Sequence, residues 1–214
     1  MKKLLFVFFS LICYSSLFAQ HGSAAIKLGE FFPSSSGSGF IIGYEGAHFM
    51  DENLTLGWSV DWFHESYVDK QLVAQFNDLY GISGGEINEL RAKTNLHDFP
   101  LMGVLTAKVL VAPYTKIYFT GALGGEVLFI SYSNFENPSQ DDFLTAFDFN
   151  WRVGFGTLYQ IGRRSDIFAE VDYHHSAPSW QYDTKDPMTG IKRTFEREID
   201  MSGVMLRVGF RFYY

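Results

Sequence analysis

Cysteine is almost absent from this sequence, which has a single one, Cys13, close to its N-terminus. Beyond that residue the chain cannot form a disulfide, bind a metal through thiolates or use a cysteine nucleophile. Long hydrophobic runs are missing as well. After residue 19 no stretch of about 18 apolar residues occurs, so no transmembrane helix is predicted. The six histidines show no metal-ligand spacing and no HExxH motif occurs, so we predict no metal and no cofactor, with a divalent ion held by His174 and Asp172 or Glu170 as the alternative.

Positive charge is also scarce. Without Lys2 and Lys3 the chain has 15 basic residues against 24 acidic ones, a net charge of -9. Binding to nucleic acid requires a basic stripe that neutralises phosphates. The composition therefore excludes nucleic acid as a partner.

The first residues have the pattern of a secretory signal peptide. Lys2 and Lys3 precede the short apolar run LLFVFFSLIC, residues 4–13, which is too short to span a bilayer. We predict a signal peptide over residues 1–19, cleaved near Ala19, and a single domain over residues 20–214.

The exported domain is rich in aromatic residues, at 18%, and alternates polar with apolar residues along its length. In LTLGWSVDWFHE, residues 54–65, the apolar side chains Leu54, Leu56, Trp58, Val60 and Trp62 share one face, as expected of a β-strand. Eight such segments occur, at residues 23–32, 40–50, 54–65, 95–109, 116–133, 147–160, 166–175 and 197–214.

The connections between these segments alternate in length. Residues 51–53, 111–115 and 162–165 are short turns, whereas 69–94, 134–146 and 176–196 are long and polar, with 33–39 as the short member of that set. This alternation is typical of outer-membrane barrels, which have tight periplasmic turns and longer outer loops. We predict an all-β, eight-stranded antiparallel transmembrane β-barrel of up-and-down topology.

One face of the strands carries bulky apolar residues and the other carries charge. We assign the apolar face to lipid and the polar face to the lumen, although a soluble barrel with the faces exchanged is the alternative. Because a lumen of eight strands is about filled by side chains, the charges are expected to pair across it, whereas a gated conduit needs them to rearrange. The predicted lumen charge network comprises Lys27, Glu45, Asp61, Lys108, Glu126, Asp148, Arg152, Glu170, Asp172, Arg207 and Arg211.

The second long connection contains DKQLVAQFNDLYG, residues 69–81, in which apolar residues recur at helical spacing. Asp69 could cap the start of a helix and Gly81 its end. We predict a short amphipathic helix there, which caps the barrel mouth or rests on the lipid surface. It acts either as a lid or as a contact surface for a partner or ligand.

The signal peptide, the eight alternating segments and the terminal aromatic residue resemble those of the small outer-membrane barrels of the OmpA-transmembrane, OmpX and OmpW type. Residues 96–129, LHDFPLMGVLTAKVLVAPYTKIYFTGALGGEVLF, also resemble the porin-like barrel domain common in Bacteroidota. The resemblance implies a location in the bacterial outer membrane. It does not imply an activity, because this family hosts many roles.

A possible catalytic pair lies in YHHSA, residues 173–177, where His174 and Ser176 form an H-x-S motif. The motif resembles the H-x-S motif of lipid A deacylases of the PagL type. Those enzymes have Asn after the serine, where this chain has Ala177, and an acidic residue at the position that Met188 occupies here. His174 also shares its face with the lumen residues Glu170 and Asp172, whereas a lipid-cleaving triad should face lipid. We therefore predict no catalytic site and keep His174 and Ser176 as weak candidates.

The last segment, RVGFRFYY, keeps alternating to its final aromatic residue. Arg207, Gly209, Phe212 and Tyr214 resemble the C-terminal signal that the barrel-assembly machinery recognises in outer-membrane proteins. A lipid-facing last strand alone also explains the pattern.

The most consistent interpretation is an integral outer-membrane protein that is structural or binds a ligand at the cell surface through its long loops. A narrow channel for small solutes and a lipid A-modifying hydrolase are the alternatives. The predicted partners are outer-membrane lipid, the barrel-assembly machinery during biogenesis and an unidentified extracellular ligand.

Overall fold

The computed structural model describes residues 22–68, 93–133, 141–185 and 192–214. The predicted signal peptide and the predicted helix over residues 69–81 lie outside these described residues. Within them, no helix is long and apolar enough to cross a membrane. The strands are β1 Gly22–Pro33, β2 Gly39–Phe49, β3 Leu54–Val68, β4 Lys93–Ala112, β5 Thr115–Ser133, β6 Asp141–Gly162, β7 Ser165–His175, β8 Ser179–Lys185, β9 Lys192–Glu198 and β10 Gly203–Tyr213.

Eight of these strands close into an antiparallel barrel. Consecutive strands pair from β1 through β7, and β10 completes the wall by pairing with both β7 and β1. The seam between β1 and β10 runs from Ser23 opposite Tyr213 to Pro33 opposite Gly203, and it leaves the barrel without an open sheet edge. The predicted eight-stranded, antiparallel, up-and-down barrel is confirmed.

The remaining two strands, β8 and β9, form a hairpin in the connection between β7 and β10. The hairpin meets the barrel wall where Ser179 pairs with Phe147 of β6. The sequence interpretation treated residues 176–196 as loop and began the last strand at residue 197. The last barrel strand instead begins at Gly203, because the alternation in KRTFERE fits a strand but does not indicate which strand it pairs with.

The two ends of the barrel differ. At the turn end, residues 50–53, 113–114 and 163–164 connect neighbouring strands, and the backbone N–H of Gly22 bonds to the carbonyl of Tyr214 over 3.1 Å. At the loop end lie the connections 34–38, 69–92, 134–140 and 176–202. All four loop-end connections are longer than every turn-end connection, as the sequence predicted.

The alternation of the strands separates two environments. Large apolar side chains such as Trp58, Phe119 and Phe155 are about half exposed on the outer face, and outward-facing residues of all eight barrel strands join them. The inward side chains fill the lumen with a layer of ion pairs, apolar clusters and a group of acidic residues around a histidine. The core of this protein is therefore the barrel lumen.

Candidate functional site in the barrel lumen

The middle of the lumen holds equal numbers of positive and negative side chains, here called the balanced network. None of its members is more than 4% exposed. They are Lys27, Arg152, Arg207, Arg211, Glu45, Asp61, Glu170 and Asp172. Four cations face four carboxylates, so the network has no net charge when all eight groups are ionised.

Arg207 is at the centre of this network. Its Nε lies 2.9 Å from Glu170, its Nη2 3.0 Å from Asp172 and its Nη1 3.2 Å from Asp61. Asp61 also accepts a hydrogen bond of 2.6 Å from Arg152. The guanidinium thus joins carboxylates from strands β3 and β7 across the lumen, which a planar fork of five donors allows.

Lys27 extends the network towards the turn end. Its Nζ lies 2.7 Å from Glu45 and 3.0 Å from Glu170. Arg211 completes this side by donating to Glu45 over 2.8 Å, and the Tyr118 hydroxyl donates to Glu170 over 2.8 Å. Each carboxylate of the network thus has a cationic partner, which buried charges require.

Glycines directly across the strands make room for these side chains. Gly43 is the register partner of Asp61, and Gly154 is the partner of Asp172. A Cβ at either glycine would overlap a carboxylate oxygen of that aspartate. The absence of a side chain at these positions therefore allows the charged groups to turn into the lumen.

Above the network, towards the loop end, lie Asp98, Glu126 and His174, here called the acid–histidine cluster. One ligating atom from each lies within 4.8 Å of the other two, and all three residues are buried. Nε2 of His174 lies 3.0 Å from Glu126, whose carboxylate also accepts from Asn150 over 3.0 Å and from Ser176 over 2.5 Å. Within the described residues, neither oxygen of Asp98 has a hydrogen-bond partner.

An apolar layer covers this cluster from the loop end. The buried members that line it include Phe31, Ile41, Phe63, Leu96 and Leu128. Phe31 packs edge-on against the imidazole of His174, with ring centroids 5.7 Å apart. The sequence predicted a polar lumen, but the bulky residues at the loop end of the inward face make the lumen apolar there.

The turn end of the lumen is closed by a second apolar cluster of Ala25, Tyr118, Leu158 and Phe168. Beside it, a cavity of about 150 Å³ opens between Lys108, Asp166 and Tyr213. The Lys108 ammonium lies 5.0 Å from the ring of Phe49. This residue, predicted in the charge network, lies at the mouth of the lumen and contacts aromatic rings.

Two further residues of the predicted network have neutral partners. Asp148 is only half-buried and accepts a hydrogen bond of 2.7 Å from the backbone N–H of Ala177. Glu126 bonds to His174, Ser176 and Asn150, so neither carboxylate has the lysine or arginine partner that pairing of charges across the lumen predicts. The alternation predicts which face of its strand each side chain occupies. It does not predict the register between strands, on which the partners of a side chain depend.

Asp98 is the residue of this region that sequence reasoning missed. It shares strand β4 with Lys108, which the sequence did assign to the lumen, and it lies ten residues away on the same face. Successive side chains of a strand alternate between its two faces, so counting back from Lys108 in steps of two residues places Asp98 in the lumen. Asn150, between the assigned residues Asp148 and Arg152, could have been found in the same way.

His174 and Ser176, the weak catalytic candidates, both lie inside the lumen and are fully buried. They contact different oxygens of one carboxylate: His174 meets Oε2 of Glu126 and Ser176 donates to Oε1. Nucleophilic catalysis requires the imidazole to accept the proton of the serine. Here the serine hydroxyl is engaged by the carboxylate, so this arrangement does not activate it.

The residues of the predicted assembly signal lie in β10 at the seam, except Tyr214, which directly follows the strand. Phe212 and Tyr214 expose about half of their surface on the outer face, whereas Arg207 turns into the balanced network. Gly209 lies opposite Lys27 of β1. A Cβ at Gly209 would overlap the ring of Phe168, so close packing in the lumen also requires a glycine here.

At the loop end, two connections bind each other. The backbone N–H of Ser34 donates to the carbonyl of Ser202 over 2.8 Å, and Ser35 donates to Asp200 over 3.1 Å. Hydrogen bonds from Ser202 hold the pKa of Asp200 below its usual range. These contacts close the loop end on the side of the seam.

No family model and no curated protein matches this sequence. Solved structures do match. OprG, an outer membrane protein from Pseudomonas aeruginosa, is 12% identical over 92% of this chain and 97% of its own, with a TM-score of 0.59. Neisserial surface protein A is 12% identical over 91% and 96% of the two chains, with a TM-score of 0.54. A major outer membrane protein from Thermus thermophilus is 13% identical over 90% and 99%, with a TM-score of 0.54.

At these identities the likeness concerns the fold. The chain has the eight-stranded fold of outer-membrane β-barrels, and the resemblance predicted from the sequence is confirmed at that level.

Proposed function

We propose that this protein is an integral protein of the bacterial outer membrane with no catalytic activity, and that it acts structurally or binds a ligand at the cell surface. One observation carries the proposal: the barrel is apolar on its outer face and charged inside. A soluble barrel needs the opposite arrangement, because burial of apolar surface is what stabilises it in water.

The outer face is continuous enough to require a covering. Leu101, Leu123 and Phe147 are each about 60% exposed or more, on three adjacent strands. Soluble monomers rarely expose apolar patches larger than a few hundred Å², whereas this surface surrounds the barrel. Lipid covers such a surface, and aromatic residues such as Trp58 and Tyr159 suit the interfaces with water.

Cell fractionation tests the location. We expect the protein in the outer-membrane fraction, and we expect the folded barrel to migrate faster than the boiled protein on a semi-native gel. Recovery from the soluble periplasm without a heat-dependent shift would refute the proposal.

The surface role rests on the long connections of the loop end. Replacing residues 69–92 with a short turn should leave membrane levels and the gel shift unchanged, because the barrel strands remain. Loss of capture of a partner from intact cells by this variant would support a binding role. Unchanged capture would indicate that another loop binds the partner.

The channel alternative conflicts with the filled lumen. Within the described residues, the balanced network is closed above by the apolar layer around Phe31 and below by the cluster around Phe168. We therefore expect no conductance in planar bilayers, and steady unitary currents from the purified barrel would support a channel instead.

The hydrolase alternative conflicts with the burial of His174 and Ser176 on Glu126. Lipid A from cells with and without the protein should give the same acyl count by mass spectrometry. A lost acyl chain that depends on Ser176 would establish the hydrolase.

Assembly is proposed to depend on the end of β10. Removing Phe212 to Tyr214 deletes the pairs that Phe212 and Tyr213 make with Ala24 and Ser23 at the seam. We expect this truncation to abolish insertion, whereas Phe49→Leu at the neighbouring end of β2 should leave insertion intact. Normal outer-membrane levels of the truncated form would refute the proposal.

A further inference from the structure

The acid–histidine cluster differs from the rest of the lumen in having more carboxylates than cations. Asp98 and Glu126 are 1% and 0% exposed, respectively, and the third member, His174, is an imidazole. The balanced network below has no excess positive charge, because its four cations already face four carboxylates. Arg152, which is the register partner of His174, is bound to Asp61 over 2.6 Å.

Asp98 forms no direct ion pair within the described residues, and the Arg152 guanidinium, which attracts its charge, is bound to Asp61. Within the described residues neither of its oxygens makes a hydrogen bond, although its side chain is buried beside Glu126 and His174. An ionised carboxylate in such a place is strongly unfavourable unless a cation binds to it.

We propose that Asp98, Glu126 and His174 bind a divalent transition-metal ion of the zinc class inside the barrel. Imidazole nitrogen and carboxylate oxygen are both ligands of Zn²⁺. Two carboxylates and a neutral imidazole around a divalent cation carry no net charge. The cluster would then be neutral, like the network beneath it.

The geometry is close to that of a site. Ligands at the usual bond lengths around a tetrahedral Zn²⁺ lie about 3.4 Å from one another. His174 and Glu126 are 3.0 Å apart, and all three ligating atoms lie within 4.8 Å. A tetrahedral site requires the Asp98 and Glu126 side chains to rotate so that these distances become equal.

Neighbouring side chains hold the central ligand in place. Asn150 donates to Glu126 over 3.0 Å and Ser176 donates over 2.5 Å. Such contacts orient ligands and raise metal affinity in other sites. The H-x-S motif therefore acquires a role in this proposal, with His174 as a ligand and Ser176 as a positioning residue for Glu126.

The site is sealed by the apolar layer around Phe31 and Phe63, so the ion enters as the barrel folds. Metal binding of this kind is coupled to folding. We expect a chelator to prevent loading when it is present before folding and to remove the ion only slowly afterwards.

The test uses the full chain folded in detergent micelles with Zn²⁺, followed by removal of free metal and elemental analysis of the protein. We expect one equivalent of zinc, and a higher temperature of unfolding than after folding with a chelator. The variant Asp98→Asn should bind zinc roughly tenfold or more weakly while keeping the heat-dependent gel shift.

Glu65→Gln is the matched control. Glu65 is also a buried carboxylate near the loop end with an oxygen that lacks a partner, but it is not a member of the cluster. This variant should keep its equivalent of zinc. If Asp98→Asn fails to fold, His174→Gln gives a second test of the same loss.

Cobalt gives a readout that a merely structural role would not change. Folding with Co²⁺ should produce visible absorption in the wild type and in Glu65→Gln, and this absorption should be lost in Asp98→Asn. Zinc at background level in the wild type would overturn the proposal. A proton shared between the two carboxylates would then be the explanation for their burial. An unchanged equivalent in folded Asp98→Asn and His174→Gln would overturn it too.

Discussion

The two polar layers of the lumen solve the same problem differently. The balanced network places Arg207 within 3.2 Å of three carboxylates from two strands, and each carboxylate of the network has a cationic partner inside the protein. The acid–histidine cluster, one layer above, has two carboxylates but only an imidazole as a basic group. Glu126 accepts hydrogen bonds from uncharged groups, whereas Asp98 forms no hydrogen bond within the described residues.

This difference separates residues that are expected to stabilise the fold from residues that are expected to bind a ligand. A buried group whose partners are all present contributes to a single well-defined fold, and removing one partner leaves the others uncompensated. A buried group without a partner lowers stability unless something binds to it. Residues of the first kind are expected to be intolerant of substitution, and residues of the second kind indicate where a ligand could bind.

The largest effect is expected at the centre of the balanced network. Arg207→Met leaves Asp61, Glu170 and Asp172 short of a cation, which should lower the free energy of unfolding by about 3–5 kcal/mol or prevent folding. Arg163→Met, in an exposed turn, should change it by less than about 0.5 kcal/mol. Urea titrations in detergent measure both, and equal stabilities would contradict the role of Arg207.

A pair of aspartates compares the two layers directly. Without divalent metal, Asp61→Asn loses ion pairs to Arg152 and Arg207 and should cost about 3 kcal/mol. Asp98→Asn loses no partner, so it should change stability by less than about 1 kcal/mol or stabilise the barrel.

The same titrations should then be repeated with Zn²⁺ present during folding. Only the wild type and Asp61→Asn should gain stability from the metal. If both aspartates cost the same amount under both conditions, the two layers do not differ in the proposed way.

A smaller effect is expected from the space that glycines leave in the wall. Gly154→Ala brings a methyl group against Asp172 inside the lumen, and overpacking of this kind costs about 1–3 kcal/mol. Gly121→Ala points to the outer face, where no atom lies within 4 Å, so it should be neutral or slightly stabilising. A destabilisation of equal size at both positions would contradict the assignment of this cost to the lumen space beside Gly154.

The smallest effect is expected at the turn between β4 and β5. Tyr114 has a φ of 66°, a left-handed conformation that asparagine tolerates better than tyrosine. Tyr114→Asn should therefore stabilise the barrel by about 0.5 kcal/mol in urea titrations, with Tyr44→Asn on the outer wall as a destabilising comparison. A loss of stability in Tyr114→Asn would mean that its ring, which is largely exposed, matters more than its backbone.

Much of the fold could be predicted because the strands alternate with a period of two over long segments. Leu56, Trp58 and Val60 face outwards, and Asp61 faces inwards, as counted from the sequence. The hairpin of β8 and β9 could not be predicted in the same way. An alternating segment forms a strand, but its partner depends on loop geometry and on the competition between strands.

The candidate site could be predicted only in part. The alternation assigned Glu126 and Arg207 to the lumen, and the H-x-S motif drew attention to His174 and Ser176. Their common partner, Glu126, lies 48 residues from His174, and no local pattern connects the two. Asp98 was within reach of the same counting but lacked a motif to mark it.

The sequence by itself determined the number of barrel strands, their up-and-down topology and which residues share a face, because these depend on local alternation and on the lengths of connections. Only the tertiary structure decided which charges are paired. Pairing depends on register across the seam and around the wall, where a shift of one residue reverses every side chain. That register encloses Asp98, Glu126 and His174 together beneath Phe31, and within the described residues it leaves one carboxylate without a partner.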